Sequence, residues 1–162
     1  MIRKVLCTAV AALFFLHLSA QDRTFTGAWF EVKYPSDFIA QGSMVSASGE
    51  DNQFDSAFFT SPDGEVEFYI FSPQWGGEPT DIALRSNEKE GNRQVKKTAN
   101  QTVTHWTISA KDGSYVRSYQ EIRNEMENTV WVVGIKYKNQ KAYERYKKQY
   151  IAFKSSLQQF AD

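Results

Sequence analysis

The most constraining feature of this chain is a change of period near residue 139. Before it, residues 101–110, 115–123 and 129–137 read as short strands, and Lys111-Asp112-Gly113-Ser114 between the first two has the Asp-Gly pair that favours a tight hairpin. After it, Tyr143, Tyr146, Tyr150, Phe153, Leu157 and Phe160 recur at spacings of 3, 4, 3, 4 and 3. That spacing is one face of a helix over residues 140–160, with Asn139 as its cap and Lys141, Glu144, Arg145, Lys147, Lys148 and Lys154 on the other side. A long aromatic stripe needs a sheet face to cover it.

Upstream segments supply more of that sheet. Ala28, Phe30, Val32 and Tyr34 alternate with Trp29, Glu31 and Lys33, and Pro35 ends the run. A weaker strand covers 38–44, and the polar stretch 46–52 reads as loop. Residues 57–60 and 66–71 flank Ser61-Pro62-Asp63-Gly64, turn residues in turn order. A helix is predicted over 80–90, with Thr80 as N-cap and Asp81 in the first turn. The order is hairpin, helix, meander, helix. The expected class is α+β, an antiparallel β-sheet with helices packed on it as an αβα-type sandwich.

The first residues read differently. Arg3 and Lys4 precede an apolar run from Val5 to Leu18, and Ser19-Ala20 closes it, the three parts of a secretory leader. The run is shorter than the roughly 20 residues needed to span a bilayer. Residues 1–20 are therefore expected to be a signal peptide, and 21–162 a single domain with no transmembrane segment. Removal of the leader takes away Cys7, the chain's single cysteine, and His17, so stability must come from packing and not from disulfides. Export of bacterial type, to the periplasm or beyond, is the expected localisation.

The zero net charge hides a split. Residues 21–81 hold eleven acidic and two basic side chains, and residues 82–162 hold eight acidic and fifteen basic ones. The basic residues form no dense block, so the two halves are expected to interleave and neutralise each other.

Several phrases resemble PsbP-like domains. Phe30-Glu31-Val32-Lys33-Tyr34-Pro35-Ser36-Asp37-Phe38 is similar to that family's opening strand, F-x-V-x-Y-P-x-x-[WF]; Ser61 to Gly64 resembles its S-P-D-G hairpin. Phe153-Lys154-Ser155-Ser156-Leu157 is similar to the phrase closing its final helix. The resemblance covers residues 28–160 and implies an antiparallel sheet between helices. It also implies a mostly non-enzymatic family, of photosystem accessory subunits, a nuclear import factor and exported bacterial proteins, with no shared catalytic motif to transfer.

The residues themselves offer little chemistry. Beyond the leader there is no thiol, and no nucleophile elbow, phosphate loop or zinc-binding His-Glu pattern occurs. His105 sits mid-strand beside Trp106 with no acid near it in sequence to orient it as a base. Glu50, Asp51, Asn52 and Asp55 lack the alternating spacing of a calcium loop. Glu65 and Glu67 share one strand face, a pair that hydrolysis of envelope polymers would require, but such pairs also mark any wet strand face. Arg85, Arg93, Lys96 and Lys97, grouped around the exit of the middle helix, are too sparse for nucleic acid. An adhesin for anionic polymers would need Lys141, Lys147, Lys148 and Lys154 to converge with the strand lysines. Ser56, in Asp55-Ser56-Ala57, and Asn100, in Asn100-Gln101-Thr102, match short glycosylation acceptors. No catalytic residue, metal ligand or cofactor is expected.

What stands out is Phe71-Ser72-Pro73-Gln74-Trp75-Gly76-Gly77-Glu78-Pro79. A tryptophan in a loop bracketed by proline and glycine is either tucked onto the core or presented to a partner. Trp75, with Gln74 as its polar neighbour, is the expected ligand contact of an exported, non-enzymatic binding or assembly module whose partner is an envelope protein or glycan.

Overall fold

The structure is a computed structural model that describes residues 22–160. The expected leader lies outside the described residues. Seven strands form one antiparallel sheet in the order β3(Ile39–Gly42), β4(Ser56–Thr60), β5(Val66–Phe71), β9(Thr129–Tyr137), β8(Val116–Asn124), β7(Thr102–Ala110), β6(Glu88–Lys97). A second, smaller antiparallel sheet joins β1(Arg23–Thr26), β2(Phe30–Tyr34) and β10(Gln158–Gln159).

The turn chemistry read from the sequence is what closes the hairpins. Gly64 and Gly113 both take positive φ, where a side chain would be strained. The Asp63 carboxylate accepts from the Glu65 N–H at 3.0 Å, and Asp112 accepts from the Ser114 N–H at 2.9 Å. Asn139 caps α1(Gln140–Ser155) by accepting from the Ala142 N–H at 2.9 Å.

The large sheet is buried on both faces at its centre. Phe68 and Ile70 of β5 point to one side with Val133, Ile135, Phe59 and Phe30, and there the helix docks through Phe153 and Ala142. Tyr69 and Phe71 point to the other side with Trp106, Ile108, Tyr119 and Ile82. Strand β5 therefore alternates between two cores rather than between core and water.

Four elements differ from expectation. Residues 80–90 are not a helix: a single 3-10 turn, Thr80–Ile82, is followed by an irregular strap, and Glu88 already begins β6. The sandwich thus has one α-helix among the described residues, on one face, and this strap on the other. The reason is tertiary. Asp81 accepts the Tyr69 hydroxyl at 2.7 Å and the Ser56 hydroxyl at 2.6 Å, while buried Arg117 donates to the Ile82 and Ala83 carbonyls at 3.2 and 3.3 Å. Those bonds take groups that helix formation would use, and they outweigh a weak propensity.

The terminal helix stops at Ser155, short of residue 160. The Ser156 hydroxyl and N–H both donate to Phe153 O, and the chain then adds Gln158–Gln159 to β2. Leu157 and Phe160 lie beyond the helix, Phe160 exposed. β1 and β6 are not expected from the sequence; both are largely exposed, and their order comes from pairing with β2 and β7.

The charge split is resolved as expected. Arg145 of the helix bridges to Asp63 and Glu65 at 3.0 and 3.1 Å, Arg123 to Glu78 at 2.9 Å, and Lys136 lies 4.0 Å from Glu67. Each joins the basic second half to the acidic first.

Candidate functional site

The loop that leaves β5 is clamped at both ends. Ser72 is buried, its N–H donates to Asp55 O at 2.8 Å and its hydroxyl accepts from Gln159 Nε2 at 2.8 Å. At the far end Arg123 Nη2 donates to Gly77 O at 3.2 Å and to Glu78 Oε1 at 2.9 Å. Gly76 passes so close to the β8–β9 turn that a Cβ there would sit 3.0 Å from Asn128 Oδ1, and one at Gly77 would sit 3.3 Å from the Phe71 ring. Between these anchors Trp75 is 48% exposed and Gln74 is half-buried. Met126, on the adjoining turn, and Phe160, next to Gln159, are exposed at the same end of the sheet.

Beside this loop, on the strap face, is a cavity of about 330 Å³. Pro79, Ile82 and Ile108 give it apolar walls, with Trp106 at its floor. Trp106 stacks on Tyr119 at 5.3 Å and 29°, and the Arg93 guanidinium covers its other face at 4.9 Å. Glu78 and Glu121 line the cavity and both hold Arg123, Glu121 through contacts of 3.0 and 3.2 Å. Neither carboxylate is free to shuttle a proton while it neutralises that guanidinium.

Below the cavity the strap is held by a buried polar network. Arg117 pairs with Glu88, both side chains all but inaccessible, and Glu88 Oε1 accepts the Tyr115 hydroxyl at 2.7 Å. Burial pushes the Glu88 carboxyl up, but the Tyr115 hydroxyl, the Arg85 N–H and Arg117 more than reverse this and hold it below its ordinary value. Burial next to Asp81 pushes the Tyr69 phenol far up, so it stays a hydrogen-bond donor.

The other residues singled out in the sequence are scattered. His105 is exposed on β7, and its cross-strand neighbours are Gln94 and Gln120, not acids. Glu50, Asp51 and Asn52 are exposed in the 46–52 loop; Asp55 is half-buried, its Oδ1 without a hydrogen-bond partner, and burial raises its carboxyl. Glu65 and Glu67 are the exception, lining one cavity with Tyr115, Lys136 and Lys138, and they turn to different cations, Arg145 and Lys136. Among the described residues no three His, Cys, Asp or Glu side chains group to hold a metal, and no helix is long and apolar enough to cross a membrane.

Ser56 is fully buried and bonded to Asp81, so a sugar could be added only before folding. Asn100 is exposed in the β6–β7 turn. Arg85 lies on the strap while Arg93, Lys96 and Lys97 lie on the edge strand β6, not around a helix exit. Of the helix lysines, Lys141 is exposed, Lys147 turns to Glu144 at 3.8 Å and Lys154 to Gln120 at 3.2 Å, and Lys148 alone meets a strand lysine, sharing a cavity with Lys33 and Asp37. The cavity over Trp106 was missed by sequence reasoning. Its one visible signal was Gly91 inside an otherwise polar run, the mark of a bulge.

No family model and no curated protein matches this chain. Solved structures do resemble it. The solution structure of cyanobacterial PsbP from Synechocystis aligns over 96% of this chain and 99% of that one, at 9% identity and a TM-score of 0.49. The Saccharomyces cerevisiae Ran-binding protein Mog1p aligns over 88% of this chain and 97% of that one, at 8% identity and a TM-score of 0.45.

Proposed function

We propose that the chain is an exported, PsbP-like, non-enzymatic binding or assembly module of the periplasm or cell envelope, and that Trp75 with Gln74 contacts its partner, an envelope protein or glycan. The observation behind this is a large aromatic ring, half in water, on a loop pinned at Ser72 and at Gly77–Glu78. A loop held in this way has little backbone entropy left to lose on binding, and tryptophan is enriched among the residues that dominate interfaces. The basic and apolar start of the chain supports export, and the strand, hairpin and closing-helix phrases support the PsbP-like assignment.

The test compares Trp75→Ala with the unaltered protein, by thermal melt and by capture of partners from an envelope extract. Loss of a specific partner with an unchanged melt supports the contact. A lowered melt with normal capture makes the ring a packing element and overturns the reading.

A further inference from the structure

Regular alternation would place residues three apart on opposite faces of β6. Here the ladder to β7 shifts register between Glu90 and Arg93, so that Glu90 lies opposite Ile108 and Arg93 opposite Trp106, both on the strap face. Gly91 permits this close approach, because a Cβ there would lie 2.4 Å from Thr107 Oγ1. Bulges recur where a strand must re-aim a side chain. This one brings an acid and a base together over an indole ring.

The ion pair of this base is exposed. The Arg93–Glu90 pair spans 2.7 Å, but its side chains are 47% and 38% exposed, a setting in which ion pairs add little. With Arg93 turned outward, Glu78, Glu90 and Glu121 face the cavity against the single guanidinium of Arg123. The vacated face of Trp106 would attract a cation, and Pro79, Ile82 and Ile108 would cover its aliphatic stem.

We propose that this cavity receives one basic side chain, lysine or arginine, from an extended segment of a protein partner, and that Arg93 is its displaceable internal occupant. The proposal rests on the binding-module reading and names the chemistry of the partner. Charge complementarity selects the occupant: a carboxylate-rich, aromatic-floored cavity favours a cation. Lys89, Lys96 and Lys97 along β6 repel a run of positive charge, which selects an isolated basic residue among neutral ones. β6 is the outermost strand of its sheet, with no outer neighbour among the described residues, so an extended segment has room to lie along it.

The test is an amide and indole NMR titration of the protein with two capped tripeptides, Ala-Arg-Ala and its neutral citrulline counterpart. The arginine peptide is expected to shift the Trp106 indole and Gly91 amide signals saturably, at least about tenfold more tightly than the citrulline peptide. Arg93→Ala is expected to bind it several-fold more tightly than the unaltered protein, since nothing need be displaced. Glu121→Gln is expected to weaken binding, with the melt confirming that the variant is folded. Equal binding of the two peptides, or no saturable shift up to about 10 mM in either the unaltered protein or Arg93→Ala, overturns the proposal. The titration uses no envelope partner, so it succeeds or fails independently of the Trp75 capture experiment.

Discussion

Truncating Phe153 to alanine tests whether the aromatic stripe of α1 is a packing element. Phe153 is 1% exposed, and its ring lies 5.1 Å from Phe59 at 64° and 5.3 Å from Phe68. Deleting a buried phenylalanine costs about 3–5 kcal/mol, from lost transfer energy and the cavity left behind. Tilted and edge-to-face aromatic pairs add about 0.5–1.5 kcal/mol each, which places Phe153→Ala toward the upper end. In a domain of this size that corresponds to a melting temperature lower by roughly 10–20 °C. The assay is urea unfolding at an unchanged m-value, so that the midpoint reports stability and not a change in the unfolded state. Lys147→Ala is the control. Its ion pair to Glu144 is exposed, and the loss should stay within about 0.5 kcal/mol. A cost below about 1 kcal/mol for Phe153→Ala, or equal costs for the two variants, would refute the argument and make the stripe a partner surface.

Two further outcomes follow from charged groups. The Ser61 hydroxyl, the Glu65 N–H, the Tyr146 hydroxyl and Arg145 lower the Asp63 carboxyl from 3.8 to about 2. A depressed carboxyl stabilises the fold fully above its unfolded value and loses that contribution as pH falls toward 2. The melting-temperature gap between the unaltered protein and Asp63→Asn should therefore be constant above about pH 5 and close toward pH 2; a gap independent of pH refutes the staple. Arg117→Met should cost about 3–5 kcal/mol in urea unfolding, because Glu88 is left buried without its cation, and adding Glu88→Met should recover much of the loss. A small effect of the single change refutes the network's role in holding the strap.

Elements whose signal lies within a short window were legible. The 129–137 strand, both glycine turns and the Asn139 cap were placed from the sequence, because a turn needs only its own four residues and a cap only its own first turn. The charge split was readable too, since scattered opposite charges neutralise in any compact arrangement.

What failed depended on partners far along the chain. Thr80 and Asp81 look like the start of a helix, but Asp81 bonds Tyr69 and Ser56, and Arg117 takes the Ile82 and Ala83 carbonyls. The helical period continues to Phe160, yet the edge of β2 captures Gln158 and Gln159. The candidate contact divides in the same way. Its loop was visible from proline and glycine, but the exposure of Trp75 follows from Ser72 meeting Gln159 and Arg123 meeting Gly77. The cavity over Trp106 left only Gly91 as a trace in the sequence, since it is assembled from β6, β7, β8 and the strap. Local hydrogen bonding and the period of each apolar face belong to short windows of residues and can be read there. Which distant groups compete for the same backbone and carboxylate oxygens is a property of the assembled sheet, because that competition exists only after the strands are brought side by side.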